Sequence, residues 1–153
     1  MTRIIGVDYG EARVGIAASD LLGITAQGLD TLHEKDSAKV VAHLCNLAKE
    51  LGAGEFVVGF PKNMNGTVGE RGERTQAFAK QLGEKSGIPV KLWDERLTSS
   101  AAHGVLSESG VSGKNRKGAV DKIAAVMILQ SYMSSINNAQ LTVKEVFALR
   151  KFI

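Results

Sequence analysis

Two short apolar runs stand at the head of the chain, RIIGVD over residues 3 to 8 and VGIAAS over 14 to 19. The YGEAR between them supplies a glycine and polar side chains suited to a turn. This pattern predicts a β-hairpin. A third strand is expected across ITAQGLDTL (24 to 32), which is β-branched at its start, although Gly28 interrupts it. Three antiparallel strands in succession are therefore expected to open the domain.

From Asp36 onward the apolar residues recur at helical spacing (Val40, Val41, Leu44, Leu47, Ala48, Leu51), and Gly52 stands where a helix stops. EFVVGF (55 to 60) then reads as a buried strand, PKNMNGTVG as a loop, ERGERTQAFAKQLGEKSG (70 to 87) as a more polar helix, and PVKLWDE (89 to 95) as another strand. Strand alternating with helix implies parallel pairing. Thr98 is placed to cap the next helix, Gly110 ends it, and a basic loop, VSGKNRKG, leads into AVDKIAAVMILQSYM, the most apolar helix of the chain. Thr142 and Glu145 have capping-box spacing, which predicts a short extra helix in LTVKEVFALRKFI. The expected organisation is one α/β domain over 1–136, with a mixed five-stranded sheet of three antiparallel and then parallel strands flanked by helices, and a C-terminal extension over 137–153.

The 153 residues suffice for one core, and 44% apolar with 23% charged residues excludes a disordered chain. The lone Cys45 forms no internal disulfide and reads as a small core residue; His33, His43 and His103 lie too far apart for zinc-ligand spacing. Without a signal-peptide pattern or an apolar run long enough to cross a bilayer, a cytoplasmic protein with no membrane contact is expected. A net charge of +3 is too mild to decide the partner.

Three positions carry the chemistry. Asp8 lies in an otherwise apolar strand, on the face of Ile4 and Gly6 by the period-two rule, so an ionised side chain there needs a partner. The alternative is that it ends the strand and caps the turn at Gly10. Asp94 and Glu95 end a strand where parallel sheets collect ligand-binding groups; alternation sends the two to opposite faces and leaves open which one joins Asp8. Asp121 opens an apolar helix, where the macrodipole favours an acid whatever its function. Its neighbours are distinctive, since Lys114, Arg116, Lys117 and Lys122 accompany this one acid over 110 to 122.

Carboxylates from separate elements, with no histidine cluster, favour hard ions such as Mg2+ or Mn2+ over zinc. In two-metal phosphodiester hydrolysis the ions stand about 3.5–4 Å apart, so such acids act first as ligands. Gly66, Thr67 and Gly69 offer amides and a hydroxyl to a phosphate, with Arg71 and Arg74 following; the alternative is an ordinary strand-to-helix connection. Arg71, Arg74, Lys114, Arg116 and Lys117 are the candidate nucleic-acid contacts. Trp93 reads as a sheet-face aromatic before a base-stacking one, and His103 as structural or solvated.

The strings GVDYGEARVGIAASD, VVGFPKNMNGTVG, DERLTS and NRKGAVDKIAAVMILQSY, in this order and spacing across about 3 to 133, resemble the YqgF/RuvX family. The resemblance implies a ribonuclease H-like fold related to the resolvase RuvC, and a bacterial nuclease that matures the precursor of small-subunit ribosomal RNA. It also implies which acids matter: the first-strand aspartate falls on Asp8, the acid of the DER motif on Glu95, the last-helix aspartate on Asp121. Two departures stand out. Asn65 occupies a place where the family pattern has aspartate, and 137 to 153 run past the familiar end.

Three other functions compete. An Asp and Gly in an opening hairpin also resemble the phosphate-binding turn of actin-like phosphotransferases, but those clasp nucleotide between two such domains. A Holliday junction resolvase would apply the same chemistry to branched DNA, normally as a dimer. A non-catalytic nucleic-acid-binding regulatory module would keep the fold without cutting. The reading leaves monomer and homodimer open, and RNA or branched DNA as partner.

Overall fold

In the computed structural model, which describes residues 2–94 and 122–137, the opening runs form the predicted hairpin. Strand β1 (Arg3–Tyr9) pairs antiparallel with β2 (Arg13–Ser19), Asp8 opposite Gly15 and Gly6 opposite Ala17. The third strand is divided. Segments β3 (Ala26–Gly28) and β4 (Leu32–His33) both pair with β2, and the register slips by one residue between them, from Ala17↔Gly28 to Val14↔Leu32. One continuous strand over 24 to 32 was expected; a one-residue bulge opposite Gly15 breaks it, so among the described residues the sheet has six segments in five positions.

Helix α1 (Ser37–Leu51) begins where the Asp36 side chain accepts a hydrogen bond from the Ala38 amide at 3.0 Å, and ends at Gly52, whose φ of 66° is the left-handed conformation that glycine adopts freely. Strand β5 (Ala53–Phe60) then pairs parallel with β1. Helix α2 (Glu70–Ser86) follows, and β6 (Val90–Asp94) pairs parallel with β5. The order is β3-β2-β1-β5-β6, with β4 also on β2. A third helix, α3, covers 122–137.

Alternation along the strands builds a different core on each face. Ile5, Val7, Val14, Ile16, Phe56 and Val58 pack against Val40, Val41 and Leu44 of α1 and Phe78 and Leu82 of α2, with Cys45 partly buried at the edge of that cluster. On the other face Ala17 meets Ala125, Leu129 and Met133 of α3. Small residues let α3 lie close. A Cβ on Gly6 would stand 2.8 Å from Leu129 Cβ, and one on Gly28 would stand 2.7 Å from Lys122 Cγ. Gly28 is thus a packing requirement of the strand it interrupts. No helix among the described residues is long and apolar enough to cross a membrane.

Candidate active site

Asp8 is the penultimate residue of the central strand, and it shares the α3 face with Ile4 and Gly6 as alternation predicts. Its side chain is only 13% exposed. Gly10 donates its N–H to the Arg13 carbonyl at 3.0 Å, and a Cβ there would stand 2.6 Å from that oxygen, so the backbone itself closes the turn and requires glycine. The Gly10 amide is therefore committed to the Arg13 carbonyl. An ionised carboxylate held largely out of water needs a cation or hydrogen-bond donors. Arg71 Nη2 stands 3.9 Å from Asp8 Oδ1, with the Arg71 side chain 55% exposed.

Arg71 and Arg74 come from the first turns of α2, which are seated firmly. Gly72 lets them pass under the preceding loop, since a Cβ there would lie 2.7 Å from Val68 Cγ1 and 2.9 Å from the Pro61 carbonyl, and the Thr75 hydroxyl donates to the Arg71 carbonyl at 2.9 Å. Arg74 donates to the Glu11 carboxylate in the β1–β2 turn. That guanidinium holds the Glu11 carboxyl below its usual range, and the carboxylate raises Arg74 in return. Between the turn, Lys35 and the start of α2 lies a cleft of about 230 Å³, lined also by Tyr9 and Thr75. The Tyr9 ring stacks on Phe78 with centroids 3.9 Å apart. Burial raises the Tyr9 phenol; Arg74 pulls the other way and Asp36 adds to the rise.

Loop 61–69 closes on itself. Thr67 donates its N–H to Asn65 Oδ1 at 3.1 Å and its hydroxyl to the same oxygen at 2.6 Å, while Asn63 Nδ2 donates to the Thr67 hydroxyl at 3.0 Å. The Thr67 donors expected to face a phosphate thus meet Asn65. An amide oxygen accepts these bonds as a carboxylate would, so the asparagine that departs from the family pattern suits this turn.

Of the two strand-end acids, Asp94 is described. Trp93 donates Nε1–H to Ser131 Oγ of α3 at 3.1 Å and meets the Tyr132 ring edge-on at 5.5 Å, which makes it the sheet-face aromatic expected. Asp94 therefore turns to the opposite face, in register with Phe60. Glu95 and Asp121 lie outside the described residues, as do Lys114, Arg116, Lys117 and His103. Lys122, the first described residue of α3 and next in sequence to Asp121, packs on Gly28 two strands from Asp8. Among the described residues no group of three His, Cys, Asp or Glu side chains gathers closely enough to hold an ion, so Asp8 is the described member of the expected carboxylate set.

Sequence reasoning brought Asp8, Arg71 and Arg74 to one place. It missed Glu11 and Lys35, whose only sequence signals are an acid inside the YGEAR turn and a lysine just ahead of a helix cap.

A protein of Bacillus subtilis (strain 168) named "Putative pre-16S rRNA nuclease" is 49% identical over 137 residues, covering 88% of this chain and 99% of its own length. One of the same name from Clostridium novyi is 46% identical over 134 residues, with the same coverage. Among solved structures, RuvC of T. thermophilus in complex with a Holliday junction substrate superposes with a TM-score of 0.54 at 12% identity, over 89% of this chain and 96% of that one. The yeast mitochondrial Holliday junction resolvase gives 0.55 at 14%, over 99% and 85%. At such identities these two speak to the fold alone, which is ribonuclease H-like, as expected. A sequence profile described as "RuvX: Holliday junction resolvase" matches residues 2–135, and with that match this chain belongs to the RuvX family.

Proposed function

We propose that the chain is a metal-dependent nuclease that hydrolyses phosphodiester bonds in the maturation of the small-subunit ribosomal RNA precursor. One observation carries the reading: a largely buried carboxylate, Asp8, ends the central strand with Arg71 3.9 Å away and a cation-lined cleft beside it. A carboxylate repels a phosphodiester unless a cation stands between them. The names of the Bacillus and Clostridium relatives support a ribosomal RNA precursor as substrate.

Asp8 supplies hard oxygen donors, and in this reading Glu95 and Asp121 complete the set, which suits magnesium or manganese. Such an ion, when bound, supplies Lewis acidity and makes water a stronger acid. The chain's own residues do the rest. Asp8 would hold the ion, Arg71 neutralises a non-bridging phosphate oxygen, and Arg74, Lys114, Arg116 and Lys117 hold the flanking backbone. The chain acts in the cytoplasm.

A second reading, cleavage of a four-way DNA junction, is favoured by the Holliday junction resolvase activity for which the family is named. It requires two active sites facing one junction, hence a homodimer.

The test is cleavage of end-labelled single-stranded RNA, duplex DNA and junction DNA by wild type and Asp8→Asn, each with manganese, magnesium or chelator. Metal-dependent cutting abolished in a folded Asp8→Asn is expected. Cutting that survives in that variant would overturn the mechanism, and preference for the junction would select the second reading.

A further inference from the structure

The cleft beyond the β1–β2 turn has a composition that carbohydrate or apolar ligands do not explain. Among the described residues, Lys35, Arg71 and Arg74 converge on it from two elements, against one carboxylate, Glu11. Glu11 is bound to Arg74 within that cleft. A guanidinium accepts carboxylate and phosphate oxygens in the same geometry. Glu11 thus occupies one place where an incoming phosphate would bind.

Lys35 is held at the rim by its backbone. Glu34 donates its N–H to the Ala12 carbonyl at 3.1 Å, which ties this connection to the β1–β2 turn. The Glu34 carboxylate in turn accepts from the amides of Lys35 at 3.0 Å and Asp36 at 3.3 Å. Arg71 lines the cleft and also reaches Asp8, so it spans both places. A nucleic-acid strand with one phosphate at Asp8 would pass Arg71 to reach the cleft.

We infer that this cleft is a second phosphate subsite, for a phosphodiester flanking the reactive one, and that Glu11 is its resident competitor, displaced from Arg74 when nucleic acid binds. Lys35 then contacts that flanking phosphate. The pair to be broken is exposed on both sides, 46% at Arg74 and 75% at Glu11, and exposed ion pairs are weak. Strands without a phosphate at this position gain nothing to offset the displacement, so Glu11 makes binding selective for a continuous phosphodiester backbone. The inference rests on the nuclease reading above.

The experiment measures binding of a labelled single-stranded RNA across a salt series, in chelator so that nothing is cut, for wild type, Lys35→Ala, Glu11→Gln and Lys39→Ala. Lys39 is exposed on α1 and does not line the cleft, so its variant gives the effect of net charge alone. Lys35→Ala is expected to weaken binding several-fold more than Lys39→Ala, and to flatten the slope of log K against log salt by about 0.7, the value for one contact on a single strand. Glu11→Gln is expected to tighten binding several-fold. If Lys35→Ala matches Lys39→Ala, or if Glu11→Gln weakens binding, the subsite is overturned while the nuclease reading stands. A wild type that binds no nucleic acid in chelator and cleaves none with manganese or magnesium present overturns both.

Discussion

Gly6 and Leu129 meet so closely that a single added carbon on the glycine would lie 2.8 Å from the leucine Cβ and 3.1 Å from the Ala125 carbonyl. Helix α3 rests there on the backbone of β1, two residues before Asp8. Gly6→Ala is therefore expected to destabilise the fold by about 1–3 kcal/mol through overpacking, because neither a helix backbone nor a Cβ can swing aside. Gly83→Ala provides the contrast: its new Cβ would meet Val90 Cγ2 at 3.6 Å, an ordinary van der Waals contact. Thermal or urea unfolding of both variants checks the difference, and equal losses would count against this account of α3 packing.

Ser19 supplies a hydrogen bond that the sheet ladder does not. The β1–β5 register shifts between Arg3 and Ile4, and the Ile4 amide donates to Ser19 Oγ at 2.8 Å with Ser19 only 3% exposed. Ser19→Ala leaves that amide without its acceptor, and a loss of about 1–3 kcal/mol is expected in denaturant unfolding. A change within experimental error would mean that the amide finds another acceptor.

Both tyrosines are expected to titrate late. Burial is the main cause at Tyr132, aided by its hydrogen bond to the Glu55 carboxylate, and the phenol is pushed up to about 12; burial also raises Tyr9. Raised values favour the neutral phenol in the folded state. Their contribution to stability is present below pH 10, the ordinary tyrosine value, and is lost as pH rises through 10 toward about 12. The phenolate absorbance of the folded protein should thus rise at higher pH than that of urea-unfolded protein, which is half ionised near pH 10. Tyr132→Phe should remove the later step.

The hairpin, the Asp36 and Gly52 limits of α1 and the two parallel strands were legible because each rests on local physics: apolar period, a side chain that caps an amide, a left-handed glycine. The third strand was not. Gly28 weakens a strand locally but admits Lys122 of a helix almost a hundred residues on, and the bulge opposite Gly15 is a matter of pairing that a single strand does not encode. The face taken by Asp94 followed only once Trp93 was seen to face α3. Glu11 and Arg74 lie 63 residues apart, so their pairing has no trace in local spacing.

Bedding α3 on glycine and alanine also has a dynamical consequence. The α1/α2 side is locked by Phe56, Phe78, Leu44 and Leu82, whereas α3 is held chiefly by Ala17, Ala125, Leu129 and Met133. Lifting α3 away exposes less apolar area than full unfolding, so its amides should exchange with solvent through a partial opening of lower free energy than the strands beneath. In that opened form the hairpin with Asp8 and the cations beside it keeps its shape, while the segment that begins just after Asp121 has left. Holding a strand of nucleic acid and being armed to cut it then become separable events, governed by how tightly one helix sits on the sheet.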